Sequence, residues 1–267
     1  MRTPLANTLI ILSPLFHATL AQEYGEPDMV GGMREWKYLL EHEMQYPYSA
    51  LQAGEKGTVS IDCYISPEGE FEEIEFVNSV SEELDREAVR LLKHVVWKPA
   101  VFNVQFTSGK TRMFIKFYPE RYYRYCRDRG YRQLPTPVLP VSEETGIYKR
   151  NEVESVAKPL IPEGWEAYPY ILKQLKYPEE AVRLSVQGKV RIAYVVERSG
   201  HVTNIEVLHT LAGGCPQEVV RVLRSLNWIP VIADGQAVPS RQEITVLFQL
   251  NFFGTAQEFI YNGQGIY

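Results

Sequence analysis

Tyr177 to Leu250 reads YPEEAVRLSVQGKVRIAYVVERSGHVTNIEVLHTLAGGCPQEVVRVLRSLNWIPVIADGQAVPSRQEITVLFQL, and the same pattern has already been written 131 positions earlier. Tyr177-Pro178 repeats Tyr46-Pro47, Gly188 repeats Gly57, Gly200 repeats Gly69, and Trp228-x-Pro230 repeats Trp97-x-Pro99. No gap is needed between Tyr46 and Pro119, and 17 of the 74 aligned columns are identical. These identities include turn glycines, a tryptophan and two prolines, residue types whose backbone or packing role is hardest to replace. The 267 residues therefore divide into two domains of roughly 90 residues, each large enough to bury a core of its own.

Within the first copy, Gly31-Gly32 precede a run in which Trp36, Leu39, Leu40 and Met44 follow helical spacing. That helix must stop before Pro47, because a residue preceding proline is pushed out of the α region. Gly57 opens a strand with Val59, Ile61, Cys63 and Ile65 on one face. A turn at Pro67-Glu68-Gly69 leads into a return strand carrying Ile74 and Phe76. From Ser81, a candidate N-cap, Leu84, Ala88, Leu91, Leu92 and Val95 form one helical face, with Glu87 and Arg90 placed outside it. Met113, Ile115 and Phe117 mark a closing strand. The second copy keeps this pattern through Val190, Ile192, Tyr194 and Val196, then Cys215, Val219, Val222, Leu223 and Leu226, then Ile244, Val246 and Phe248. Each unit predicts an α+β fold, a three-stranded antiparallel sheet packed by two helices.

Outside the repeats, residues 1–21 read as a signal peptide: Arg2, an apolar run from Leu9 to Phe16, and a small-residue cleavage site before Gln22. The alternative is an uncleaved membrane anchor, for which 17 residues from Leu5 to Ala21 stand at the lower limit and Pro14 and His17 interrupt. The expected location is the periplasm, or the inner membrane facing it if the segment is retained. The expected divisions are domain 1 over 30–119, a linker over 120–162, domain 2 over 163–252 and a tail over 253–267. The linker opens with Arg121-Tyr122-Tyr123-Arg124-Tyr125, continues through Arg127, Arg129, Tyr131 and Arg132, and reads as a strand extension or a snorkelling surface segment. Leu134 to Pro140 is an extended spacer. A formal charge of −5 gives no reason to expect a nucleic acid as partner. Cys63 and Cys215 read as core residues and Cys126 as a free thiol. None of the five histidines has a metal-ligand partner in sequence; His94 stands near a helix end and His201 at a solvated turn. With no nucleophile or acid/base pair to name, neither an enzyme, a cofactor nor a metal is expected.

Tyr-Pro, Gly-x-Val-x-Ile, a turn glycine, Ile-Glu, Glu-x-Val-Arg-x-Leu, Trp-x-Pro and a closing strand, in that order, resemble the TonB C-terminal domain. Gly31-Gly32 before the first helix makes the likeness strongest to the version common in Bacteroidetes-type envelopes. The resemblance implies a periplasmic protein that binds an extended segment of a TonB-dependent outer-membrane transporter, adding it as a strand beside the closing strand. An unpaired strand edge has the physical means, a row of N–H and C=O groups awaiting a partner. On this sequence the implied edges are Arg112, Phe114, Lys116 and Tyr118 in the first copy and Glu243, Thr245, Leu247 and Gln249 in the second. The implied contact region is Gln45, Tyr46 and Pro47, with Tyr177 and Pro178 in the second copy, where Lys176 replaces the glutamine. Self-association through the same edges, as in a structural envelope module without transporter binding, is one alternative; an anchored energy transducer is the other.

Overall fold

The computed structural model describes residues 24–130, 146–233 and 235–250. The expected signal segment, Tyr131, Arg132, the Leu134 to Pro140 spacer and the tail lie outside them. Unit 1 runs β1 (Tyr24–Gly25), β2 (Asp28–Met29), α1 (Gly32–Glu43), α2 (Tyr48–Ala53), β3 (Gly57–Ile65), β4 (Phe71–Asn78), α3 (Glu82–Lys93), β5 (Trp97–Lys98), β6 (Ala100–Phe102), β7 (Gln105–Thr107), β8 (Gly109–Phe117) and α4 (Pro119–Asp128). Unit 2 repeats this as β9 (Lys158–Pro159), α5 (Ala167–Gln174), α6 (Glu179–Arg183), β10 (Gly188–Val196), β11 (Val202–His209), α7 (Cys215–Ser225), β12 (Trp228–Ile229), β13 (Val231–Ala233), β14 (Gln236–Val238) and β15 (Ser240–Phe248).

Each unit has a main antiparallel sheet, ordered β4-β3-β8 and β11-β10-β15. The closing register is the same in both, Gly57↔Phe117 through Ile65↔Gly109 and Gly188↔Phe248 through Val196↔Ser240. Alternation buries Val59, Ile61, Cys63 and Ile65 against α1 and α3, and Val190, Ile192, Tyr194 and Val196 against α5 and α7. This is the α+β architecture expected.

The repeated glycine of the first turn has a specific reason. At Gly69 (φ 81°) a Cβ would lie 2.8 Å from the Trp97 carbonyl oxygen, and at Gly200 (φ 81°) it would collide with that of Trp228. The hairpin tip and the Trp-x-Pro strand thus cross too closely for any side chain. Each tryptophan also donates its Nε1–H to a helix carbonyl, Leu92 at 3.4 Å and Leu223 at 3.0 Å.

Three sequence expectations within the units are corrected. Glu87 and Arg90 are not on a solvated face: both are buried and paired at 2.7 and 2.9 Å. Glu87 accepts the Gln45 N–H at 2.8 Å and Arg90 donates to the Glu43 carbonyl at 2.7 Å, so the pair takes up the main chain at the end of α1. Glu218 and Arg221 repeat this for Lys176 and Gln174 in unit 2. Second, the Tyr/Arg stretch is neither strand nor surface coil. Pro119 at the start of α4 sets up a helix whose Tyr122, Tyr125 and Cys126 join the core of unit 1. Beyond it Arg129 donates to the carbonyls of Leu40, Glu41 and Met44. Third, Ser81 makes no side-chain cap; Asp85 instead accepts the Val80 N–H at 3.2 Å.

The two units are docked through a polar interface in which α1 lies against β11. Asn204 sits at a β-bulge with φ 50° and turns its amide outward. It accepts the Val96 N–H and donates to the His94 carbonyl, both at 2.8 Å. The buried His94 ring meets Glu197 at 2.9 Å, and Glu35 receives Arg224 at 2.6 and 2.7 Å. Ser199 donates to Glu43 at 2.5 Å, with His201 3.4 Å from the same carboxylate. His94 and His201 are therefore interface residues, not a helix-end charge and a solvated turn.

Arg90→Met leaves the Glu87 carboxylate buried without its cation and is expected to cost about 3–5 kcal/mol. Arg221→Met, whose side chain is half exposed, should cost about 1 kcal/mol or less. Urea unfolding of the two variants measures the difference; equal losses would rule out a special role for the buried pair. The interface is expected to open in acid. Burial alone would raise the Glu43 carboxyl, but hydrogen bonds from His201 and Ser199 outweigh it and hold the group below its ordinary range. Its stabilising contribution is therefore complete above the ordinary glutamate value and is lost as pH falls through the docked value. The His42 ring meets His201 edge-on at 4.9 Å and is lowered by burial, with the His201 charge adding to it, so its protonation opposes docking in the same direction. Amide exchange at Ser199 to Asn204 should accelerate on acidification beyond the intrinsic trend, and Glu43→Gln should flatten that response.

Candidate peptide-binding edges

The order of each main sheet leaves its closing strand, β8 or β15, at an edge. Which residues aim main-chain groups outward follows from two hydrogen bonds. The Arg241 N–H donates to the Tyr148 carbonyl at 2.9 Å, and the Tyr168 hydroxyl donates to the Thr245 carbonyl at 2.5 Å. Neither partner belongs to β10, so Arg241, Glu243, Thr245 and Leu247 are the outward set. The shared register assigns the same role to Lys110, Arg112, Phe114 and Lys116 on β8.

The two edges differ in what meets them. Along β15, Tyr148 makes a parallel bridge to Ser240, donating to Pro239 as well as accepting from Arg241, and Tyr168 covers Thr245. Along β8, no described residue hydrogen-bonds the outward main-chain groups. The outward set of β8 also has exposed side chains, with Phe114 at 56%. Three of the four are cationic. Arg112 reaches Asp62 at 2.6 and 2.9 Å and Lys110 reaches it at 3.0 Å; these contacts hold the Asp62 carboxyl well below the usual range. Glu243 pairs with Arg191 at 2.5 Å, while Tyr118 and Gln249 are exposed beyond the ends of their strands.

The Tyr-Pro residues stand elsewhere in this geometry. Tyr46 and Pro47 are buried, the Tyr46 hydroxyl donating to the Glu55 carbonyl and its ring meeting Phe117 edge-on at 5.8 Å. Burial, with the Glu55 charge second, pushes the phenol up to about 12, so it remains a donor. Tyr177 repeats the arrangement, bonding Val186 at 2.5 Å and meeting Phe248 at 5.3 Å. Both tyrosines brace the end of the closing strand. Gln45 and Pro178 are half-buried.

The contacts of Tyr148 and Tyr168 were not legible in the sequence, since a tyrosine in a connector or a helix carries no mark of the strand it will meet. The repeat does mark the Glu-Arg pair, Glu87/Glu218 and Arg90/Arg221 being identities at helix positions outside the apolar face. Among the described residues no group of His, Cys, Asp and Glu could hold a metal, and no helix is long and apolar enough to cross a membrane.

No curated protein matches the chain. The family model for the Gram-negative bacterial TonB protein C-terminal region matches it twice, over residues 42–119 and 173–250. Both matches run from the end of a unit's first helix to just past its closing strand, and together they cover more than half of the 267 residues. Domains of this family take part in TonB-dependent transport by interacting with outer-membrane transporters. With both matches on the two sheet units, the chain belongs to the TonB C-terminal family, as a tandem of two such domains.

Proposed function

We propose that the protein works in the periplasm by capturing an extended segment of an outer-membrane transporter as a fourth strand on β8 of unit 1. The observation that carries this reading is the row of outward groups at Lys110, Arg112, Phe114 and Lys116, which no described residue meets. An incoming strand satisfies those groups, and its alternate side chains lie beside the exposed ones of β8. Lys110, Arg112 and Lys116 favour acidic residues at those positions, and Phe114 favours an apolar one between them. The β15 edge is the weaker acceptor, because a peptide must first displace Tyr148.

Proline at an outward position of an edge strand removes a free donor without breaking the ladder behind it. Phe114→Pro is therefore expected to leave the melting temperature within a few degrees and to weaken a transporter N-terminal peptide by tenfold or more, while Thr245→Pro changes affinity little. Backbone amide shifts during peptide titration should concentrate on Arg112 to Tyr118. Undiminished affinity in Phe114→Pro would sink the proposal. Acidic peptides should bind more tightly than neutral ones of the same apolar pattern, with the gap closing as salt screens the edge; a salt-independent ranking would remove the charge from the account.

A further inference from the structure

The β6–β7 hairpin of unit 1 and the β13–β14 hairpin of unit 2 occupy the same place in the repeat but have opposite character. In unit 2 the sequence over the tip is Ala233-Asp234-Gly235-Gln236-Ala237, ordinary for a tight turn needing positive φ. In unit 1 it is Phe102-Asn103-Val104-Gln105-Phe106. Asn103 has φ 47° and Val104 φ 68°. A β-branched residue in that region is sterically disfavoured, so Val104 is held at a cost that glycine at the matching position avoids. No burial among the described residues repays it: Val104 is 95% exposed, Phe106 69%, Tyr24 54% and Phe102 39%.

We infer that this hairpin is a wedge that inserts into a lipid surface. Val104 stands at the turn of the hairpin with Phe102 and Phe106 on the strands behind it, all exposed, and a lipid surface takes up such side chains where a protein would need a matching pocket. No charge occurs from Pro99 to Gly109, and lysines bracket the run at Lys98 and Lys110. That arrangement suits apolar insertion with Lys98 left at the level of lipid phosphates, Lys110 being held by Asp62 at 3.0 Å. Chain direction points the same way. Strand β1 is antiparallel to β6 with Tyr24 opposite Phe102, so the chain enters the small sheet from the tip side. The sequence preceding Tyr24 holds the apolar run from Leu9 to Phe16. The inference does not depend on peptide capture at β8.

The described cysteines, Cys63, Cys126 and Cys215, are all buried, so a spin label on Val104→Cys reports on the tip alone. With the full chain and vesicles of phosphatidylethanolamine and phosphatidylglycerol, the label should become more accessible to oxygen than to a water-soluble nickel complex. A label on Gly235→Cys should remain aqueous. In the chain from Gln22 onward, which retains every described element, Val104→Gly should raise the melting temperature by a few degrees while weakening vesicle binding about tenfold. Three results would overturn the inference: equal water access at both labels, unchanged vesicle binding in Val104→Gly, or a label at 104 that becomes buried with protein concentration alone, which would make a second copy the occupant.

Discussion

A three-stranded sheet has two edges, and every edge presents main-chain groups that must find a partner, a side chain or water. Two such sheets give this protein four edges, and most of what distinguishes its halves is how each is met. At β11 the Glu35 carboxylate takes the Ile205 N–H at 3.4 Å, and the Asn204 amide substitutes for a strand by bonding His94 and Val96. At β15 Tyr148 exchanges main-chain bonds with Pro239 and Arg241, and Tyr168 covers the Thr245 carbonyl, both from outside the sheet. The β4 edge carries Glu72, Glu73 and Glu75, charges that discourage pairing with another chain. Among the described edges β8 joins unmet outward groups to an exposed aromatic side chain in a cationic setting, whereas the exposed Phe76 of β4 stands among glutamates, and for that reason the functional reading centres on β8.

The duplication separates what the fold requires from what each copy has been free to change. Required in both are the tyrosine hydroxyl that ties the chain before the first strand, the Glu-Arg pair that takes up the end of the preceding helix, the glycine against the tryptophan carbonyl, and the indole N–H on a helix carbonyl. All of these satisfy main-chain groups or permit a close crossing, and none is replaceable by a residue of merely similar size. The surfaces diverge. On β10 Ala193 and Val195 are buried on the face turned away from the unit 2 core, whereas the corresponding β3 positions hold Asp62 and Tyr64, which meet ions and solvent. The outer face of one sheet has become an interface and that of the other a charged surface.

This division also explains what was legible in the sequence. Core strands and helices announce themselves by period, and Gly69, Gly200, Trp97 and Trp228 by repetition, so the architecture of each unit could be read directly. The docking of the units could not. Glu43, Glu197 and His94 sit at helix ends and turns and Asn204 in an edge strand, positions where charged and polar residues are ordinarily solvated, and nothing local signals that a second unit covers them. In α4 the spacing of Tyr122, Tyr125 and Cys126 does follow a helix, but the interleaved arginines hid it. Two of the residues implied by resemblance, Tyr46 and Pro47, are buried. A residue that recurs in a binding domain can recur because it holds the binding strand in place.

Fixing the units against each other also bears on how many peptides one chain can hold. Two edges joined by a flexible spacer would each act independently, with an effective concentration set by the spacer. Here the buried contacts of Asn204, His94 and Glu35 hold the sheets in one arrangement, so a partner reaching both edges must match a fixed separation. The edges are also unequal. Freeing β15 breaks the two main-chain bonds of Tyr148, at roughly 1 kcal/mol net each, which lowers affinity there by about one order of magnitude or more relative to an open edge. On the proposed reading, low concentrations of peptide fill β8 alone, and β15 engages only a partner able to outcompete the chain's own connector.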